Sequence, residues 1–108
     1  EVLIAADGSE IPWTALNMHD DTFMRVRQFQ FMQRTPGQAV LRIVPAQGFT
    51  DEDVTRIHRK LARKLDGQLF FTTQLVEAIP LSPRGKAVYV DQWIPPAKRT
   101  SGELSDNA

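Results

Sequence analysis

At 108 residues, 42% apolar and 24% charged, the sequence has the size and composition of one globular domain, which excludes a disordered or collagen-like chain. It has no cysteine, so neither a disulfide scaffold nor a thiolate-bound zinc holds it together, and a reducing cytoplasm suits it. Thirteen Lys and Arg balance thirteen Asp and Glu, so no net charge draws the chain to nucleic acid or an anionic membrane.

No apolar run approaches the roughly 20 residues of a membrane span, and no signal peptide is visible. The first residue is Glu1, with a strand-like pattern already under way at Val2. That start points to a domain cut from a longer chain, or to a processed product.

The opening run, VLIAADGSEIP, places Asp7-Gly8 between two β-prone pieces. This predicts a hairpin closed by a type I′ turn, whose two central positions take positive φ. Between Trp13 and Val26 the apolar residues are loosely periodic, and a short helix is expected there. VRQFQFMQ then alternates, with Phe29 and Phe31 on one side and Gln28, Gln30 and Met32 on the other, as in a half-buried strand. Thr35-Pro36-Gly37 turns the chain into a second strand, QAVLRIVP, with Ala39, Leu41 and Ile43 on one face. The two form an antiparallel hairpin.

The clearest helix spans Asp51 to about Leu65, because Val54, Ile57, Leu61, Ala62 and Leu65 fall on one face. Thr50 is its N-cap, Asp53 sits in the capping-box position, and Asp66-Gly67 closes it. Arg56, Arg59, Lys60, Arg63 and Lys64 form a solvated basic face suited to the helix dipole, or alternatively a surface for an anion or partner. Long strands are expected over QLFFTTQLVEAIP and over KAVYVDQW, the latter ended by Pro95-Pro96. The tail, residues 95–108, is polar and expected to be flexible. The economical fold is α+β: a small antiparallel sheet with helices on one face, ferredoxin-like.

Few residues can carry chemistry. His19 and His58 are the only histidines, and His58 lies at the inner edge of the helix, where a structural role is expected. His19-Asp20-Asp21 lacks the further carboxylates a calcium site needs. No serine has a nucleophile-elbow context. Gly85-Lys86 is not a Walker loop, because Pro80 stands at the motif's first glycine and Ala87 at its Ser or Thr. What remains is IPLSPRGKAVYV, where Pro80 and Pro83 stiffen a loop and Gly85 lets the backbone turn before Lys86. On composition alone, Arg84 and Lys86 would simply solubilise a hairpin tip.

PLSPRGK fits the PxxxxGK pattern near the C-terminus of adenylate-forming enzymes, the acyl-CoA synthetase superfamily. VLIAADGSEIPWTALN resembles the region after that superfamily's interdomain hinge, with Ile4, Gly8 and Ile11 at its spacing. RQFQFMQRTPGQAVLRIVP, the FTDEDVTRIHRKLARKL helix and the GK strand follow in the order of phenylacetate-CoA ligases. The closer likeness is to relatives of these enzymes assigned to capsular polysaccharide biosynthesis. It covers residues 1–94. The hinge motif's Gly-Arg is absent and its acidic residue is reduced to Glu1.

The resemblance implies a cytoplasmic C-terminal lid domain of an ATP-dependent carboxylate-activating ligase. It forms an acyl-AMP and then a thioester with CoA, with Lys86 as the adenylation lysine and Gly85 beside it. Gly8 and Ser9 would lie near the thiol acceptor when the lid turns its second face. ATP, Mg and CoA belong to the whole enzyme, and the partners are the missing N-terminal nucleotide-binding domain and a carboxylic acid. The domain alone would be folded, monomeric or weakly associated, and inert.

A different reading is a free-standing ferredoxin-like module binding a ligand, a protein or RNA, with Phe29, Phe31, Phe70, Phe71 and Trp93 as stacking faces. Aromatics at strand positions are more usually core, and no RRM-like motif is present. A third is a dimerisation domain pairing through an exposed sheet edge.

Overall fold

The computed structural model describes residues 1–18 and 20–95. In chain order these form β1 (Val2–Ile4), β2 (Glu10–Pro12), α1 (Trp13–Leu16), β3 (Val26–Thr35), β4 (Gln38–Pro45), α2 (Asp51–Leu65), β5 (Phe70–Leu75) and β6 (Val90–Gln92). β1 and β2 make a two-stranded antiparallel hairpin, and the other four strands form a sheet in the order β5-β4-β3-β6.

The fold is α+β, as the sequence predicts. Its main sheet is mixed: β3 and β4 are antiparallel, whereas β5 runs parallel to β4 and β6 parallel to β3. The chain leaves β4 through α2 and returns beside β4, and a helical crossover of this kind joins parallel strands.

The alternation in β3 and β4 decides which face is covered. Phe31, Ala39, Leu41 and Ile43 meet Ile57, Leu61 and Leu65 of α2, with Leu3, Leu16, Phe71 and Val90 closing the core. Phe31, Leu41, Ile43, Ile57 and Leu61 are wholly buried, each contributing about 1.5–3 kcal/mol. α2 has the expected bounds, with Thr50 extended as N-cap and Asp66 left-handed at the C-cap. The Asp53 carboxylate accepts the Thr50 N–H at 2.9 Å.

One buried side chain fastens the Ile4 end of the small hairpin to the main sheet. Gln33 is buried, and its amide copies a strand's hydrogen bonding: Oε1 accepts the Ile4 N–H at 2.7 Å, while Nε2 donates to Ile4 O at 2.8 Å and Thr35 O at 3.1 Å. Gly37 completes the joint, donating to Ile4 O at 2.8 Å with φ +78. A Cβ there would lie 2.9 Å from Ala6 Cα.

Four local expectations are corrected. Only Trp13–Leu16 is helical before β3, because Asn17 is extended and Asp20 caps the Thr22 N–H at 2.9 Å, drawing the backbone into turns. The Asp7-Gly8 turn is not type I′, since Gly8 has positive φ and Asp7 does not. β5 and β6 are shorter than expected, because residues 77–88 leave the ladder between the sheet's two edges. Finally, Phe70 and Trp93 are 69% and 64% exposed, so they are not core, while Phe31 and Phe71 are. His19 and residues 96–108, including most of the expected polar tail, lie outside the described residues.

Candidate functional site

Lys86 sits at the end of a tight turn whose geometry is set by its neighbours. Pro83 and Arg84 occupy the bend, Gly85 takes φ +77, and the Gly85 N–H donates to Ser82 O at 2.8 Å. The Ser82 N–H donates to Lys86 O at 2.8 Å, and the Lys86 N–H to Ser82 Oγ at 3.1 Å. This is the three-residue hairpin loop in which a left-handed glycine makes a bulge. No heavy atom lies within 4 Å of where a Gly85 Cβ would stand, so the glycine is needed for its φ alone. Lys86 is exposed and therefore free to reach outward on a fixed backbone.

The stems of this loop are held by residues whose role sequence reasoning missed. The alternation of β3 places Gln28 and Gln30 on its polar side and says nothing of their partners. Their amides donate to Ile79 O at 3.5 Å and Val88 O at 3.1 Å, one to each stem. Beyond them, the Phe31 N–H donates to Tyr89 O at 2.8 Å. The Tyr89 ring stacks on Trp13 at 4.5 Å with an 8° interplanar angle. Two amides on a strand's polar face are the available signal, since such groups serve passing backbone well. Between β3 and the stems lies a cavity of about 180 Å³, lined by Val26, Gln28, Phe29, Ile79, Leu81 and Tyr89 among others.

The other charged groups are engaged elsewhere. Asp53 is buried and accepts from Arg25 Nε at 3.0 Å, Arg25 Nη2 at 2.6 Å and Arg56 Nη1 at 2.5 Å. The Arg25 guanidinium holds its carboxyl well below the usual value. Lys60 bonds Asp20 and Asp21. Asp20 is lowered to about 2, first by the Thr22 hydroxyl and then by the Thr22 N–H. The basic face of α2 is thus partly a set of ion pairs, with Arg59, Arg63 and Lys64 left exposed. His58 packs on Phe71 at 4.6 Å and hydrogen-bonds Thr73, and burial pushes its pKa down. Among the described residues no cluster could hold a metal ion, and no helix is long and apolar enough to cross a membrane.

The sequence model of one protein family, the CapK C-terminal domain, matches residues 3–92. The chain belongs to the CapK C-terminal domain family. This agrees with the capsule-related part of the resemblance seen in the sequence. No curated protein and no solved structure matches the chain.

In this CapK domain the second expected site is a turn of the same build as the first. The Gly8 N–H donates to Ala5 O at 2.9 Å, and the Ala5 N–H to Ser9 O at 2.8 Å. Asp7 Oδ1 accepts both the Ser9 N–H at 2.9 Å and the Ser9 hydroxyl at 2.6 Å, and these bonds lower the Asp7 pKa. Gly8 is buried, while Ser9 is exposed. The two turns are not brought together. The Gly8 hairpin is tied to the Gln33–Thr35 end of β3, and the Lys86 loop is held near Gln28 and Gln30. From Gln30 to Thr35 the strand alone spans roughly 17 Å.

Proposed function

We propose that this domain is the mobile lid of a carboxylate-activating, AMP-forming ligase, and that Lys86 is its adenylation cation. The observation that carries the reading is the Ser82–Lys86 turn, which fixes one exposed lysine's backbone while leaving its side chain free. The superfamily resemblance of PLSPRGK supports it, and the CapK family match supports the placement at the C-terminal end of a longer protein.

Adenylation joins a carboxylate oxygen to the α-phosphorus of ATP as the α–β phosphoanhydride bond breaks and pyrophosphate leaves, and the two anions repel as they approach. A cation placed between them favours the transition state over the bound ground state, so it raises rate more than affinity. Lysine suits the task, because a compact ammonium on a flexible stem reaches both oxygen sets without the fixed fork of a guanidinium. ATP supplies the activated phosphoryl centre, and the part of the protein preceding this domain would hold it together with Mg. Toward ATP the residues here fit one task, a cation on a stiff loop, with Gly85 setting its approach. Closing the lid would exclude water from the acyl-AMP, and reopening it would admit CoA for thioester formation near Gly8 and Ser9. Two separated turns of matching build suit a domain that presents different faces in the two half-reactions.

The test is carboxylate-dependent ATP–pyrophosphate exchange by the full-length parent across a panel of aryl and alkyl acids, wild type beside Lys86→Ala. Exchange present in the wild type and lost in the variant is the expected result. Undiminished exchange in Lys86→Ala would sink the assignment.

A further inference from the structure

The two edges of the main sheet are treated differently. At β6 the edge is occupied: the Val90 N–H donates to Glu1 Oε2 at 3.3 Å, and Gln92 Nε2 donates to Val2 O at 3.4 Å. At the other edge, β5 is the terminal strand among the described residues. Its sequence, FFTTQL, carries no charged residue and no proline to deter pairing. The Phe70 N–H bonds Gly37 O and the Val76 N–H bonds Ile43 O, so even-numbered residues face β4. Phe71, Thr73 and Leu75 therefore point their N–H and C=O groups outward.

We propose that β5 pairs antiparallel with β5 of a second copy of this chain, about a two-fold axis at Thr73, making one continuous sheet. The register follows from the outward groups. An axis at Thr73 pairs Thr73 with its own copy and Phe71 with Leu75 of the second copy on either side, which uses all three. Side chains then fit as well. Leu75 is 54% exposed, and across the axis it meets Phe71 at a groove of about 590 Å³ lined by Val54, His58, Ala62, Leu69 and Phe71 among others.

The charges agree with a second copy as occupant. Glu52, Thr55 and Arg59 follow one another along the flank of α2 beside this edge. A two-fold axis sets the two α2 helices antiparallel, bringing Glu52 of each toward Arg59 of the other. The chain thus supplies both the apolar side chain for its own groove and the carboxylate for its own arginine. This inference does not depend on Lys86.

Sedimentation velocity of the 108-residue chain over a wide concentration range tests it, read beside amide hydrogen exchange. The mass should rise from 12.2 kDa to twice that value. Protection of the Phe71 and Thr73 amides should rise with it, while Thr72 and Gln74 stay unchanged. Leu75→Lys, at an exposed position, should weaken association at least about tenfold by burying an unpaired ammonium. Glu52→Arg should weaken it too, and adding Arg59→Glu should restore it. A monomer at every soluble concentration would overturn the proposal, as would a dimer indifferent to Leu75→Lys with its Phe71 and Thr73 amides unprotected. Capture of a foreign extended peptide by a chain that does not self-associate would also overturn it.

Discussion

Lys86 differs from the exposed cations of α2 in how its backbone is held. Arg59, Arg63 and Lys64 ride on a helix, where any long polar side chain would serve, whereas Lys86 follows a left-handed glycine inside a three-bond turn. Two glycines with almost the same φ separate conformation from packing. Gly85→Ala meets open space and should cost about 1 kcal/mol from its φ of +77. Gly37→Ala carries the same penalty and also drives its Cβ to 2.9 Å from Ala6, for a loss of about 3 kcal/mol in urea unfolding. Equal losses in the two variants would contradict this. Stability should also fall in two steps as the pH drops. His58 is held below its ordinary 6.5, so below about pH 6.5 the unfolded chain takes up a proton that the fold resists. Asp20 and Asp53 are depressed in the fold, so their contribution is full above about pH 4. It is lost as the pH falls toward 2 and below. Urea midpoints measured across pH should show both steps, and His58→Gln should remove the first alone.

At the scale of elements, what was legible in the sequence is what local pattern decides. β4 and α2 have the bounds their periodicities imply, and the Thr50–Asp53 cap is where the spacing puts it. The failures lie where a distant partner decides. β6 begins at Val90 because β3 accepts it from Phe31 onward, and nothing within KAVYVDQW announces that register. Phe70 and Phe71 are adjacent and chemically equal, yet only Phe71 faces α2, since strand parity is fixed by pairing with β4. The candidate loop was legible in its apex residues but not in its supports. Gln28, Gln30 and Tyr89 act on it across 51 or more positions of sequence, or through a stack on Trp13. Gln33 is the plainest case, an apparently polar strand position whose amide joins the hairpin to the sheet. Gln33→Leu should leave the Ile4 N–H buried without a partner, with Ile4 O keeping only the Gly37 N–H, and cost about 1–3 kcal/mol. Urea denaturation checks this, and a loss within about 0.5 kcal/mol would show that the joint does not depend on the amide.

For the whole molecule, the fold ties its two singled-out turns to different stretches of β3 and leaves Lys86 exposed. An exposed cation of this kind suits the proposed lid, which would act on a site built elsewhere in the parent. The adenylation role proposed for Lys86 makes a kinetic demand that a structural lysine does not. Steady-state acyl-adenylate formation by the full-length parent, with ATP varied, separates the two possibilities. The account predicts that Lys86→Ala lowers kcat by about 10²- to 10³-fold while the KM for ATP changes little, because the ammonium acts on charge that gathers in the transition state. An unchanged kcat in a folded Lys86→Ala parent would contradict it.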